Sequence, residues 1–204
     1  MILNNKFDEA LLLAHDLHRD QRRKGTDIAY MSHLMAVASL VIEACEHTGF
    51  ERVEELAIAA LLHDALEDQG HKISLEEIEN RFGSLVAGIV ADCSDAVVDE
   101  EGQAKPPWRE RKKAYIGKIA EKPQETLLVS CADKLHNARS ILSDYRRHGE
   151  AVWERFNAGR TDILWYYRTL VDGFRQGWPD NPLLDELEVV VNTICELSEK
   201  ENAA

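Results

Sequence analysis

The sequence has no run of 18 uncharged apolar residues, so it contains no candidate membrane-spanning helix. It also has no basic excess. Its 24 Lys and Arg stand against 37 Asp and Glu, a formal net charge of -13. That sign argues against nonspecific nucleic-acid binding and against anionic membrane surfaces. It does not exclude a local basic pocket for a small anion. The four cysteines, Cys45, Cys93, Cys131 and Cys195, form no C-x-x-C pair. They read as buried or incidental thiols in a reducing cytosol, which makes the expected location cytoplasmic. Met1 to Ala10 carries charges at Lys6, Asp8 and Glu9 without a long apolar run, which excludes a signal peptide. Internal repeats, low-complexity tracts and alternating strand-like runs are missing as well. What is present is ordinary globular material. With 45% hydrophobic and 30% charged residues over 204 positions, the chain can bury a full core without staples.

Apolar residues recur at helical spacing along most of the chain. Phe7, Ala10, Leu11, Ala14 and Leu17 fit one helix face, and a polar loop from Asp20 to Thr26 follows. The next helix is predicted from about Ser32, a good N-cap, to Glu46, with Gly49 beyond it. A third, from about Arg52 to Asp68, is apolar nearly all round between Leu56 and Leu62 and belongs in the middle of a bundle. Ser74-Leu75-Glu76-Glu77 reads as a capping box opening a short helix that ends near Gly83. Leu85 to Cys93 forms another. Ser94 to Pro107 is acidic, aperiodic and contains Gly102, Pro106 and Pro107, so it reads as a loop, either a lid or a solvated connector. Helices are then predicted at Trp108 to Glu121, Gln124 to Ser143, Ala151 to Arg175 and Leu183 to Glu199, with Pro123 and Pro182 suiting helix starts. Leu127-Leu128-Val129 is the best strand candidate. It is read as buried helix because Ala132, Leu135 and Ala138 continue the period. The expected fold is all-α, with about eight to ten helices in a single domain.

The sharpest local feature is His63-Asp64-Ala65-Leu66-Glu67-Asp68, at the end of the most apolar helix. Ionisable side chains buried there are costly unless compensated. On a continuous helix, at about 100° per residue, His63, Asp64, Glu67 and Asp68 share an arc of roughly 140°. Such a patch attracts a divalent cation. His33 and Asp133 are the candidates that complete the sphere from other helices. Two nitrogen and two oxygen donors suit Mn, Fe or Zn better than Ca or Mg, and four protein ligands leave room for a water. Each residue alone has an ordinary structural explanation as a cap, an ion-pair partner or a helix-end residue. The joint pattern H…HD…D is far more specific. His15, His18, His47, His71 and His148 lie on polar faces or at element ends and are assigned nothing.

That pattern resembles the HD superfamily of metal-dependent phosphohydrolases. Arg22-Arg23-Lys24 ahead of Tyr30-Met31-Ser32-His33, the H-D-x-x-E-D form of His63 to Asp68, and Ala132-Asp133-Lys134-Leu135-His136-Asn137-Ala138-Arg139 resemble RelA/SpoT-type (p)ppGpp hydrolase domains. The similarity runs from about Phe7 to Leu170. No segment is left for a nucleotide-synthesising domain, so residues 1–204 are expected to form one HD-type hydrolase domain, a standalone small alarmone hydrolase. The resemblance implies removal of the 3′-pyrophosphate of ppGpp or pppGpp, giving GDP or GTP plus pyrophosphate, with one divalent transition metal, usually Mn²⁺. It implies His33, His63, Asp64 and Asp133 as metal ligands, and Glu67 and Asp68 as the catalytic acidic pair. Arg23, Lys24 and Asn137 match nucleotide-contacting positions, and Arg139 is a further substrate candidate. Ala29 replaces the family's usual proline, and the Lys24–Tyr30 spacing differs from the common one, which puts the contact made by Arg23 in question. Trp165, Tyr166 and Tyr167 are read as core, with substrate contact as the alternative. The expected partner is a small nucleotide, with no nucleic acid and no membrane, and nothing indicates a homo-oligomer. Three other functions stay open: an HD phosphatase acting on NADPH 2′-phosphate or a nucleoside 5′-phosphate, an idle nucleotide-binding HD module, and a structural helical protein.

Overall fold

Ten α-helices and one 3₁₀ turn make up the regular structure of the described residues, 3–94 and 106–200 of a computed structural model, so the expected all-α class is borne out. Helix α1 (Asn5–His18) opens where the Asn4 side chain accepts from the Lys6 N–H at 2.9 Å, and it buries Ala10, Ala14 and Leu17. Helix α2 (Met31–Cys45) starts one residue before the Ser32 cap that the sequence suggests. Tyr30 precedes it without a side-chain cap. The chain just upstream takes over that role, since Ser32 N–H reaches Ala29 O at 3.0 Å and His33 N–H reaches Tyr30 O at 2.9 Å.

Helix α3 (Val53–Leu62) buries every residue from Leu56 to Leu62 and packs against α1, α2, α6 and α8. Burying Leu56, Ile58, Leu61 and Leu62 contributes about 1.5–3 kcal/mol each. The predicted continuous helix to Asp68 is corrected here. It stops at Leu62, and α4 (Ala65–Gln69) begins after a turn at His63-Asp64, where Asp64 takes φ -97°, ψ 0°. Helix α5 (Leu75–Phe82) shows the Ser74 half of the expected capping box, with Glu77 N–H donating to Ser74 Oγ at 3.1 Å, while the Glu77 carboxylate pairs with Arg81. Helix α6 (Ser84–Cys93) closes this half. Most of the proposed lid or connector, residues 95–105, lies outside the described residues.

Helix α7 (Trp108–Ile119) packs on α9, and α8 (Gln124–His148) is the second central helix, touching α2, α3, α6, α9 and α10. It includes Leu127, Leu128 and Val129 as buried helix and runs past the predicted end at Ser143. Gly149, at φ +57°, ends it in a conformation that a side chain would strain. The single helix predicted from Ala151 to Arg175 is corrected to a 3₁₀ turn (Gly149–Arg155), an extended Phe156 and then α9 (Arg160–Gly177). Helix α10 (Leu184–Lys200) covers α8 and α9. No described helix is long and apolar enough to cross a membrane.

Candidate active site

The turn at His63-Asp64 does what a straight helix cannot. Adjacent residues on a helix point about 100° apart and do not face each other. With the helix interrupted, Asp64 Oδ2 lies 3.0 Å from His63 Nε2. The expected shared arc on one helix is therefore replaced by a turn. Helix α2 brings His33 Nε2 to 3.6 Å from Asp64 Oδ2, and α8 brings Asp133 Oδ1 to 3.2 Å from His33 Nε2 and 3.6 Å from His63 Nε2. Donor atoms of His33, His63 and Asp64 all lie within 4.8 Å of one another. His33 is 0% and His63 1% exposed, and neither Nε2 has a hydrogen-bond partner among the described residues. Two buried, unpartnered ring nitrogens beside two carboxylates are the donor set a divalent cation needs, so the residues present fit a metal.

Each ligand is fixed by a further partner. His63 Nδ1 donates to Ala60 O at 2.7 Å, and Tyr30 Oη donates to Asp64 Oδ2 at 2.6 Å. Lys134 Nζ and Asn137 Nδ2 donate to Asp133 Oδ2 and Oδ1, each at 2.5 Å. His33 Nδ1 meets His136 Nδ1 at 2.8 Å. Burial opposes charge on His63, yet the Asp64 and Asp133 carboxylates outweigh it and hold the imidazole well above its usual range. Burial works against Asp64 and Asp133 too. The histidines around Asp64, and Lys134 beside Asp133, hold both carboxyls well below the usual carboxylate range. Burial, then the charges of His33 and Arg23, pushes His136 down to about 4.

Tyr30, Lys134, His136 and Asn137, which contact the candidate ligands, also line a cavity of about 760 Å³, whereas His33, His63, Asp64 and Asp133 themselves do not. Arg23, Lys24, Lys112, Arg139, Arg147 and Arg155 all line it, a cationic interior in a chain of net charge -13. Its edge is a small hairpin, bridged between Arg22 and Ala29, with Arg23 N–H on Ile28 O at 2.8 Å. Gly25 turns that hairpin at φ +70°, and its backbone packs so closely on the Arg155 side chain that a Cβ would meet it at 2.9 Å. Arg23 lies over the Tyr30 ring, 5.6 Å from its centroid, and donates to Asn137 Oδ1 at 2.6 Å. Lys24 donates to Asn157 Oδ1 at 3.0 Å. Arg139 lines the cavity but is ion-paired to Glu186 of α10.

Asp68 also lines the cavity, whereas Glu67 does not. Gln21 Nε2 donates to Asp68 Oδ2 at 2.7 Å, and Gln69 Nε2 donates to Gln21 Oε1 at 2.8 Å. Burial and the nearby Asp64 charge raise the Asp68 carboxyl. Tyr166 and Tyr167 are buried, as core residues should be, and both also line the cavity; Trp165 lies beneath the Arg109 guanidinium, 4.4 Å from its ring centroid.

The sequence reading missed four neighbours. His18 does end helix α1, but it is buried rather than idle. It is 2% exposed, stacked on Tyr30 at 5.2 Å, with Nδ1 2.7 Å from Gln21 Oε1. Gln21, Tyr30 and His136 complete the set. A signal for His136 was available, because three residues beyond Asp133 on a helix is the same face.

Comparison with known proteins gives the family. The family model for the HD domain matches residues 10–164. The guanosine-3′,5′-bis(diphosphate) 3′-pyrophosphohydrolase MESH1 of Drosophila melanogaster is 36% identical over 138 residues, 67% of this chain and 69% of that protein. The protein of the same name from Danio rerio is 33% identical over 134 residues, 65% of this chain and 67% of its own length. A solved structure described as a metazoan ortholog of SpoT that hydrolyses ppGpp superposes with a TM-score of 0.70 at 28% identity, covering 93% of this chain and 96% of that one.

Proposed function

We propose, for a chain that belongs to the HD-domain family of metal-dependent phosphohydrolases, that it removes the 3′-pyrophosphate of ppGpp or pppGpp as a guanosine-3′,5′-bis(diphosphate) 3′-pyrophosphohydrolase. The observation that carries the reading is the pair of buried, unpartnered Nε2 atoms of His33 and His63, facing Asp64 and Asp133, whose partners Tyr30, Lys134, His136 and Asn137 line a cationic cavity. In this reading those four residues hold one divalent transition metal, Mn²⁺ first. When bound, the ion supplies Lewis acidity to the scissile phosphoryl group and acidifies the attacking water.

The chain's own residues do the rest. Asp68 lines the cavity, is raised in pKa and is oriented by Gln21, which suits a group that positions the water and accepts its proton. Glu67, one helical step away on α4, shares that acidic end. Arg23 and Lys24, set by the hairpin, neutralise phosphate charge, and Asn137 bridges Arg23 to Asp133. Arg139 joins them once it exchanges Glu186 for substrate. Water adds to the phosphorus on the 3′ oxygen, the bond to that oxygen breaks, and the 3′ hydroxyl takes up a proton as pyrophosphate leaves.

The reading takes residues 1–204 as one hydrolase domain acting on a small nucleotide. The four cysteines are free, which supports a reducing, cytoplasmic setting. The deciding experiment incubates the purified protein with Mn²⁺ and ppGpp, GTP, deoxynucleoside triphosphates or NADPH, and identifies the products. Pyrophosphate and GDP from ppGpp are expected. Release of orthophosphate, from NADPH or a nucleoside 5′-phosphate, would reject the alarmone substrate in favour of another HD phosphatase activity. No turnover despite tight nucleotide binding would favour an idle binding module.

A further inference from the structure

The two imidazoles of the metal end are fixed by different kinds of partner. His63 Nδ1 faces a backbone carbonyl, which only accepts, so Nδ1 keeps a proton and Nε2 is the atom left to bind a cation once any second proton is displaced. His33 Nδ1 instead faces another ring nitrogen, Nδ1 of His136, at 2.8 Å, with the rings 4.8 Å apart and inclined at 42°. Two facing ring nitrogens share one proton. A cation at His33 Nε2 requires that atom bare, so the shared proton lies on His33 Nδ1 and His136 Nδ1 accepts it. His136 lines the cavity and lies one helical step from Asp133, itself a ligand in this reading.

We propose that His136 is a positioning residue that sets the tautomer and ring orientation of His33, and so sets how tightly the site holds its metal. This rests on the metal-dependent reading of the site. The outer partners of metal-bound histidines act in this way, fixing the ring and raising its basicity, and their loss costs about 10–100-fold in metal affinity. Only His33 depends on a side chain for this. One half of the imidazole pair is therefore fixed by the fold, and the other is tunable by substitution.

The test is Mn²⁺ titration of the metal-stripped protein by calorimetry. His136→Phe keeps a ring and removes the acceptor, His136→Leu is a second acceptor-free variant, and His136→Gln restores an acceptor oxygen. Melting curves of the metal-free proteins report whether each variant is folded. The acceptor-free variants should bind Mn²⁺ about 10–100-fold more weakly, while His136→Gln stays within a few-fold of wild type. The Mn²⁺ concentration for half-maximal turnover should rise by the same factor. A role confined to packing would give neither the metal dependence nor the rescue by Gln. Unchanged affinity in the acceptor-free variants, or equal losses in all three, would overturn the proposal while leaving the metal reading intact. A wild type that binds no Mn²⁺ would overturn both.

Discussion

The His–Asp cluster and the cationic cavity beside it are built on opposite terms. In the cluster His33, His63 and Asp133 are buried, and the two Nε2 atoms lack hydrogen-bond partners among the described residues. At the cationic end four of the lining side chains already hold a protein acceptor: Arg23 on Asn137, Lys24 on Asn157, Arg139 on Glu186 and Arg155 on Asp144. In the proposed reading a metal is held where the donor atoms of His33, His63 and Asp64 already cluster, with Asp133 beside the two rings. A polyanion at the second end must exchange those contacts one by one. On that reading, reaction type belongs to the rigid end and choice of substrate to the exchangeable one.

The largest expected effect tests the rigid end. His63→Ala removes a buried ligand and should abolish stoichiometric Mn²⁺ binding. Turnover should fall by about 10³-fold, the equivalent of the several kcal/mol such an ion contributes. Retained turnover in a metal-free His63→Ala protein would mean that the two ends had been assigned the wrong chemistry.

Arg23→Ala addresses the exchangeable end. Mn²⁺ affinity should hold while kcat/KM drops about 10–100-fold, the range for a hydrogen bond to a charged group, chiefly through KM. An Arg23→Ala protein with weakened Mn²⁺ binding would show that the ends are coupled through Asn137 and Asp133.

The smallest effect is in pH. Without an ion, His63 has a folded-state pKa raised above its unfolded value. Its contribution to stability is thus full below about pH 6.5 and is lost as pH rises through the folded value. Asp64 and Asp133, both lowered, behave oppositely and lose their contribution on acidification through their folded values. An ion displaces the His63 proton, so Mn²⁺ affinity should climb with pH, by at most about tenfold per unit for one proton, and level off above the folded pKa. Titrations at several pH values measure the slope. A flat profile would mean that His63 binds no proton in the metal-free protein.

Much of the rigid end was legible in the sequence. His33, His63, Asp64 and Asp133 stand out because ionisable residues in apolar helices are expensive, and the fold brings all four together. The helical class and most elements followed from periodicity. The break at His63-Asp64 did not, because no glycine or proline marks it. Tertiary packing and the facing side chains impose it. The split of Ala151–Arg175 had a signal that periodicity overrode, since Gly159 stood inside the predicted helix. The partners of the cations were not legible at all. Lys24 with Asn157 and Arg139 with Glu186 are separated by 133 and 47 residues, distances across which sequence spacing carries no geometric information.

The turn at His63-Asp64 also bears on how this architecture tolerates change. Two of the four ligand positions are neighbours in the chain, so no insertion or deletion can fall between them. Lengthening the connection at 46–52 or at 70–74 leaves their spacing untouched. The other two, His33 and Asp133, sit inside helices whose flanking connections can grow or shrink without altering their register. A centre arranged this way is insulated from loop evolution. The hairpin at 22–29 and the 3₁₀ turn at 149–155, which line the exchangeable end, are free to diversify around it.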